Sequence, residues 1–486
     1  MISTIGAAVM SLAAGVTASD RLQVGTVSFA PCELSQPRSA TTTAAWCTPF
    51  EVPEDRANPN GRKITLKLAL VASDIAAIES DPIVLLAGGP GQAATETWPT
   101  IAPALQATRR YRHVVLLDQR GTGGSNALSC KQPDADADAD FDVALAGELA
   151  RRCLDEIKAK ADPHFYTTTD AVEDLEAVRV ALGGVKFNLV GISYGTRVAQ
   201  QYMLRHPDGV RSAVLDGIAP NELIFGEEFA RNLDDALKGR FALCAKDKAC
   251  SERYGDIYKA LYETREKYQR EPAEVAMRDP QNFQTKKRRF DRNLFDGLVR
   301  LFAYAPESAA LLPFVIHEAA AGNTAPIVAQ AEYVTRELAD GMTAGMGLSV
   351  ACAEDVDLIK ERADDKALIL GDTMVAALRA QCEHWPKGRR PADFHQPVKS
   401  DLPVLILSGE FDPVTPPRYG DAVMKGLTRG RHLVAPGQGH NVIGRGCVPR
   451  LVKRFIDKLE TDQLDAGCIA ELGATPFFID YNGATP

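Results

Sequence analysis

"LVGISYGTR", Leu189 to Arg197, decides how the rest of this sequence is read. An apolar run, Phe187-Asn188-Leu189-Val190, leads into Gly191-Ile192-Ser193-Tyr194-Gly195, and a helical pattern follows from Thr196. A serine held between two glycines at a strand-to-helix turn has two readings. It is a tight structural turn, or it lifts a hydroxyl above a sheet as a nucleophile. Glycines are needed on both sides because a Cβ there would clash with the sharply bent backbone. The strand and helix context favours the nucleophile.

Further strands are read outward from this turn. Short apolar runs rich in Val, Ile and Leu occur at Ile83–Ala87, His113–Leu117, Phe187–Ile192, Arg211–Leu215, Val404–Leu407 and His432–Val434. Continuous apolar runs of that length read as buried parallel strands. Amphipathic helical patterns alternate with them. One runs from Asp170 to Leu182 with Thr169 or Asp170 as N-cap, and another from Val448 to Leu459. The alternation predicts a doubly wound, mostly parallel α/β sheet. It breaks between residues 221 and 397, where the pattern is helical (Leu294–Tyr304 and Ile327–Leu338) and buried strands are not evident. The expected organisation is an N-terminal core part over 19–220, a mostly helical lid insertion over 221–397 and a C-terminal core part over 398–486. The insertion is expected at the carboxyl edge of the strands, where such sheets place their sites.

Bulk properties narrow the function classes. The chain has 486 residues, 45% hydrophobic and 24% charged, with a net charge of -9. That balance disfavours nucleic-acid binding, which wants a basic face. The one basic run, Lys286-Lys287-Arg288-Arg289, reads as a solvated face, and the low-complexity stretch Asp134–Asp140 as a solvated loop. Ile5 to Ala18 is small and apolar and ends in Val16-Thr17-Ala18, which predicts an export signal over 1–18. No later run is long enough to span a bilayer. Ten cysteines fall into five successive near pairs without zinc-ligand spacing, so disulfides between sequence neighbours are expected, and no metal or other cofactor. Together these predict a secreted or periplasmic protein.

A serine nucleophile needs a base, and the base needs an orienting carboxylate, here in the chain order Ser, acid, His. His440 is the candidate base, in the glycine-rich loop Gly437-Gln438-Gly439-His440 after the last strand. Asp412 is the candidate acid, at the end of the penultimate strand and 28 residues before His440. Asp216, which ends the strand after the serine, is its rival, with a loop-capping role as the alternative, and Glu410 is a third choice. The oxyanion of a tetrahedral intermediate needs backbone N–H donors. Tyr194 follows the nucleophile directly, and Gly89, or Gly88, in Gly88-Gly89-Pro90-Gly91 supplies the second. That loop lacks the spacing of a phosphate-binding loop.

Gly88-Gly89-Pro90-Gly91, Asp118-Gln119-Arg120-Gly121-Thr122-Gly123-Gly124-Ser125 and Gly191–Gly195 together resemble the proline iminopeptidase branch of the α/β-hydrolases. The segments Gly409–Pro416 and Gly437–His440 are similar to the C-terminal region of secreted tripeptidyl aminopeptidase-like members. The likeness spans roughly Arg62 to Cys468 and implies an α/β-hydrolase fold and a serine hydrolase that trims peptide N-termini. It implies Ser193, Asp412 and His440 in the triad roles, with Asp118 and Arg120 bracing loops beside the site. Ala87 departs from the histidine that proline iminopeptidases carry there, which weakens a proline preference. A free-amine substrate requires a carboxylate, and Glu354, beside Cys352 in the insertion, is the candidate. An esterase with the same triad and a non-catalytic binding protein on the same scaffold are the rival functions. Oligomeric state is left open.

Overall fold

The computed structural model describes residues 21–75, 78–130, 142–278, 283–330 and 341–484. The predicted signal over 1–18, the acidic stretch 134–140 and residues 331–338 of a predicted helix lie outside the described residues.

Ten strands form one sheet in the order β1-β2-β3-β4-β6-β5-β7-β8-β11-β12. The six strands read from the sequence are β5 (Ile83–Leu86), β6 (Val114–Leu117), β7 (Phe187–Ile192), β8 (Val210–Asp216), β11 (Val404–Gly409) and β12 (Gly430–Ala435). They run parallel to one another. Four antiparallel strands extend the sheet: β1 (Leu22–Val24), β2 (Val27–Leu34), β3 (Thr43–Pro53) and β4 (Lys63–Val71). These were not expected. In β4, Ile64, Leu66 and Leu68 alternate with Lys63, Thr65 and Lys67, which is the period of a strand with one face buried.

Helices cover both faces. On one, α3 (Thr168–Ala181) and α4 (Tyr194–Arg205) pack against Leu189, Ala213 and Ile406. On the other, α1 (Ala94–Arg109) and the helix Val448–Lys458 pack against Ile83, Val190 and Leu405. Helices α2 (Val143–Ile157) and Pro417–Met424 add Ala150, Cys153, Tyr419 and Val423 to the first of these clusters. Helix α3 begins two residues earlier than predicted. Thr167 caps it, accepting from the Asp170 N–H, while the Asp170 side chain bonds back to the Thr167 N–H.

The insertion has its own core around Phe229, Leu237, Phe241, Leu261, Phe295, Phe302 and Ile316. Its described residues are mostly helical, and they also carry an antiparallel hairpin, β9 (Ala273–Arg278) with β10 (Thr285–Phe290). That hairpin escaped the reading because Thr-Lys-Lys-Arg-Arg-Phe buries only its last residue. The five disulfides join sequence neighbours: Cys32–Cys47, Cys130–Cys153, Cys244–Cys250, Cys352–Cys382 and Cys447–Cys468. Beyond Cys468 the chain crosses to the insertion. The Gln438 amide donates to the Gly473 carbonyl (2.8 Å), the Phe478 N–H donates to the Ala310 carbonyl (3.2 Å), and the Tyr254 hydroxyl donates to the carbonyls of Phe478 and Ile479. Among the described residues no helix is long and apolar enough to cross a membrane.

Candidate active site

The turn after β7 holds Ser193 at φ 52°, ψ -120°, a region that L-residues seldom occupy. Its neighbours impose it. A Cβ on Gly191 would lie 2.7 Å from the Gly195 carbonyl oxygen, and one on Gly195 would run into the Leu86 carbonyl. The Ser193 N–H donates to the Asp216 carbonyl at 2.8 Å, fixing the turn to the end of β8.

Asp412 and His440 meet at the ends of the next two strands. His440 Nδ1 lies 2.7 Å from Asp412 Oδ2. A ring nitrogen that close to a carboxylate carries the proton, which leaves Nε2 as the base. Asp412 is held in turn: Oδ1 accepts the Val414 and Thr415 N–H groups at 2.8 Å, and the Thr415 hydroxyl donates to Oδ2 at 2.9 Å. Burial alone would raise the Asp412 pKa, but the His440 charge and these donors outweigh it and hold it below the ordinary carboxylate range. Burial alone would lower His440, yet Asp412 outweighs it and the net shift is upward.

The rivals for the acid have other tasks. Asp216 is fully buried and accepts the Val442 N–H on both oxygens and the Ile443 N–H on one, all at 2.9 Å. It therefore caps the turn that follows His440, the role given above as its alternative. Burial pushes its carboxyl up to about 6 against those donors. Glu410 accepts the Gly437 N–H at 2.8 Å and braces the start of the histidine loop.

The glycine-rich loop after β5 packs beside the nucleophile: a Cβ on Gly88 would sit 3.4 Å from the Ser193 Cβ. Gly89 has φ 108°, reserved for glycine in practice, and a side chain there would meet Met342 of the insertion at 3.3 Å. The Thr343 N–H donates to the Gly91 carbonyl at 2.9 Å, so the insertion is stitched to this loop. Tyr194, the first residue of α4, has no carbonyl four residues earlier in the helix to take its N–H. Asp118 accepts from the Thr95 N–H, the Thr95 hydroxyl and the Gly124 N–H, while Arg120 forks onto Asp174 at 2.6 and 2.7 Å. These are the bracing roles the resemblance implied.

Glu354 is not where a substrate amine could meet it. It is 1% exposed, and Thr168 occupies both its oxygens, its N–H donating to Oε1 (2.7 Å) and its hydroxyl to Oε2 (3.0 Å). The Thr168 hydroxyl also lies 2.6 Å from the Tyr194 hydroxyl, which accepts from the Gln119 amide at 3.0 Å. Neighbouring Asp355 pairs with buried Arg197 at 2.8 Å and neutralises it. Burial pushes the Glu354 carboxyl up to about 8, against the pull of Arg197 and with a smaller push from Asp355. Glu354 thus ties the insertion helix Ala344–Glu354 to the turn that carries Ser193.

Three lid residues beside the histidine were not read from the sequence. The Tyr304 carbonyl accepts the His440 N–H at 2.7 Å, and its ring meets the imidazole edge-on at 5.5 Å. Arg300 and Arg240 flank this pair. Nothing in Leu294–Tyr304 marks its last turn as facing a histidine 136 positions away. Among the described residues no group of His, Cys, Asp and Glu side chains is gathered for a metal ion.

A family model, the alpha/beta hydrolase fold, matches residues 81–445. The chain belongs to the alpha/beta hydrolase fold family. Among its relatives is the serine protease Hip1 of Mycobacterium tuberculosis, 25% identical over 486 residues and covering 91% of each chain. The tripeptidyl aminopeptidase of Streptomyces coelicolor is 32% identical over 190 residues, 35% of each chain. The proline iminopeptidase of Lactobacillus helveticus is 28% identical over 154 residues, 32% of this chain and 41% of that one. This alpha/beta hydrolase is a serine hydrolase with serine peptidases among its relatives.

Proposed function

We propose that this hydrolase is an exported serine peptidase of the aminopeptidase type, cleaving near the free N-terminus of peptides through Ser193, His440 and Asp412. The Asp412–His440 hydrogen bond, beside the strained Ser193 turn, carries the reading. His440 Nε2 takes the Ser193 proton as the hydroxyl attacks the scissile carbonyl, and Asp412 stabilises the imidazolium. The N–H groups of Gly89 and Tyr194 receive the oxyanion. The imidazolium then protonates the departing amine, and a water, deprotonated by His440, hydrolyses the acyl-enzyme. Peptidase relatives support peptide substrates. The five disulfides and the apolar Ile5–Ala18 segment support export.

The burial of Glu354 favours a second reading, an esterase with the same triad, because it removes the expected amine anchor. Aminoacyl anilides compared with their N-acetylated forms separate the two. An aminopeptidase loses the blocked substrate, and an esterase retains it. Labelling by a fluorophosphonate, abolished in Ser193→Ala, is expected in both cases. An unlabelled wild type, or normal turnover by Ser193→Ala, would remove the triad.

A further inference from the structure

Among the described residues five arginines are buried to 3% exposure or less: Arg112, Arg120, Arg197, Arg240 and Arg265. Four of them close on carboxylates, Arg112 on Asp81, Arg120 on Asp174, Arg197 on Asp355 and Arg265 on Asp296. Arg240 does not. Its Nε and Nη2 are buried without a hydrogen-bond partner, and its guanidinium lies 5.4 Å from the centroid of the Phe411 ring. Nη2 points to the histidine loop, 3.1 Å from where a Cβ on Gly439 would stand. A second arginine of the insertion, half-buried, has one such nitrogen. Arg300 is stacked 4.2 Å over the Phe229 ring, donates Nη2 to the Tyr304 hydroxyl at 3.1 Å, and leaves Nη1 buried and unpartnered.

Buried guanidinium N–H groups without an acceptor are costly until one meets them. Both arginines come from the insertion, on helices Phe229–Lys246 and Arg292–Ala303, and both flank His440. The imidazole hands its proton to the departing amine, so the groups around it line the leaving-group side of the scissile bond.

We propose that Arg300 and Arg240 form a carboxylate-binding subsite on the leaving-group side, selecting short peptides whose departing fragment ends in a free carboxylate. A planar fork of donors matches a carboxylate in two bonds, which a lysine would not do. The imidazole lies 5.5 Å from the Tyr304 ring, and that ring 5.8 Å from the Arg300 guanidinium. These separations limit the departing fragment to about three extended residues. The subsite deepens the peptidase reading and rests on it for the identity of its substrate.

The test uses the whole protein and peptide pairs that differ only in a free or amidated C-terminus, with two residues departing. The wild type is expected to favour the free acid at least tenfold in kcat/KM, mainly through KM. Arg300→Met should bring the ratio near one, and Arg300→Lys should fall between, keeping charge without the fork. Equal rates on acid and amide in the wild type overturn the subsite. Calorimetric titration of the Ser193→Ala protein with a dipeptide and with its amide reads the subsite without turnover. Binding at least tenfold tighter for the acid supports it even if no peptide is cleaved, and equal affinities overturn it. Arg240→Met repeats the titration should Arg300 variants fail to fold.

Discussion

Replacing Glu354 by Gln and, separately, by Ala distinguishes a buried positioning carboxyl from an amine anchor. Burial pushes the Glu354 pKa from 4.5 to about 8, so the folded protein keeps its proton over a window in which the unfolded chain has lost it. The native state therefore binds more protons between those values, and stability falls as pH rises through them. At 1.36 kcal/mol per pH unit the wild type loses about 3 kcal/mol from this group between pH 4.5 and 7. Gln does not titrate, so Glu354→Gln escapes that loss. Its carbonyl can still accept the Thr168 N–H, and its amide can donate to the Thr168 hydroxyl, which keeps the bond to Tyr194 available. Asp355 still balances Arg197. Glu354→Ala leaves the Thr168 donors unpaired beside a cavity and should destabilise by about 3 kcal/mol. The assay is denaturant unfolding of the three proteins from pH 4.5 to 8.5, with free-amine and N-acetylated substrates run alongside. Parallel stability profiles for wild type and Glu354→Gln would refute the protonated buried carboxyl. A Gln variant that loses only the free-amine substrate would return Glu354 to amine binding.

Three more outcomes follow from the geometry. Gly195→Ala drives a methyl into the Leu86 carbonyl and towards the Ala87 carbonyl at 2.7 Å, and should cost about 3 kcal/mol in unfolding free energy; wild-type stability would contradict the packing. His440 must be neutral to act, and Asp412 holds its pKa above 6.5, so the acid limb of kcat/KM lies above that value. In Asp412→Asn the limb should move to lower pH as the rate falls, and an unmoved limb counts against the pair. Replacing both Cys352 and Cys382 by Ser opens a 30-residue loop and should lower stability by about 3–4 kcal/mol, read by unfolding with and without reductant.

The parts of the site that lie on parallel strands were legible, because each residue follows a short apolar run: Ser193 after Phe187–Ile192, Asp412 after Val404–Gly409, His440 after Gly430–Ala435. Loop chemistry helped too, since glycines mark the backbone positions that must approach the nucleophile. Sequence reading failed where the partner is distant and the local signal is generic. Glu354 looks like an acidic turn near a cysteine, yet its burial is set by Thr168, 186 positions earlier. Tyr304 and the two lid arginines belong to ordinary amphipathic helices, and only tertiary packing brings them to His440. The antiparallel strands β1 to β4 were missed although β4 alternates cleanly, because attention to continuous apolar runs passes over strands with one wet face.

The segment that leaves the core after Cys468 makes the insertion more than a flap on two stalks. It touches the Gly437–Gln438 turn just ahead of the histidine, then packs Phe477, Phe478 and Ile479, each partly buried, against the insertion's own core. The insertion is thus moored a third time, by a line that runs past His440, the proposed base. Any displacement of the insertion would act on this segment and, through Gln438, on the turn that precedes His440. A bulky domain fused after this segment would load the same line, which makes that end of the chain the wrong place for an engineering handle.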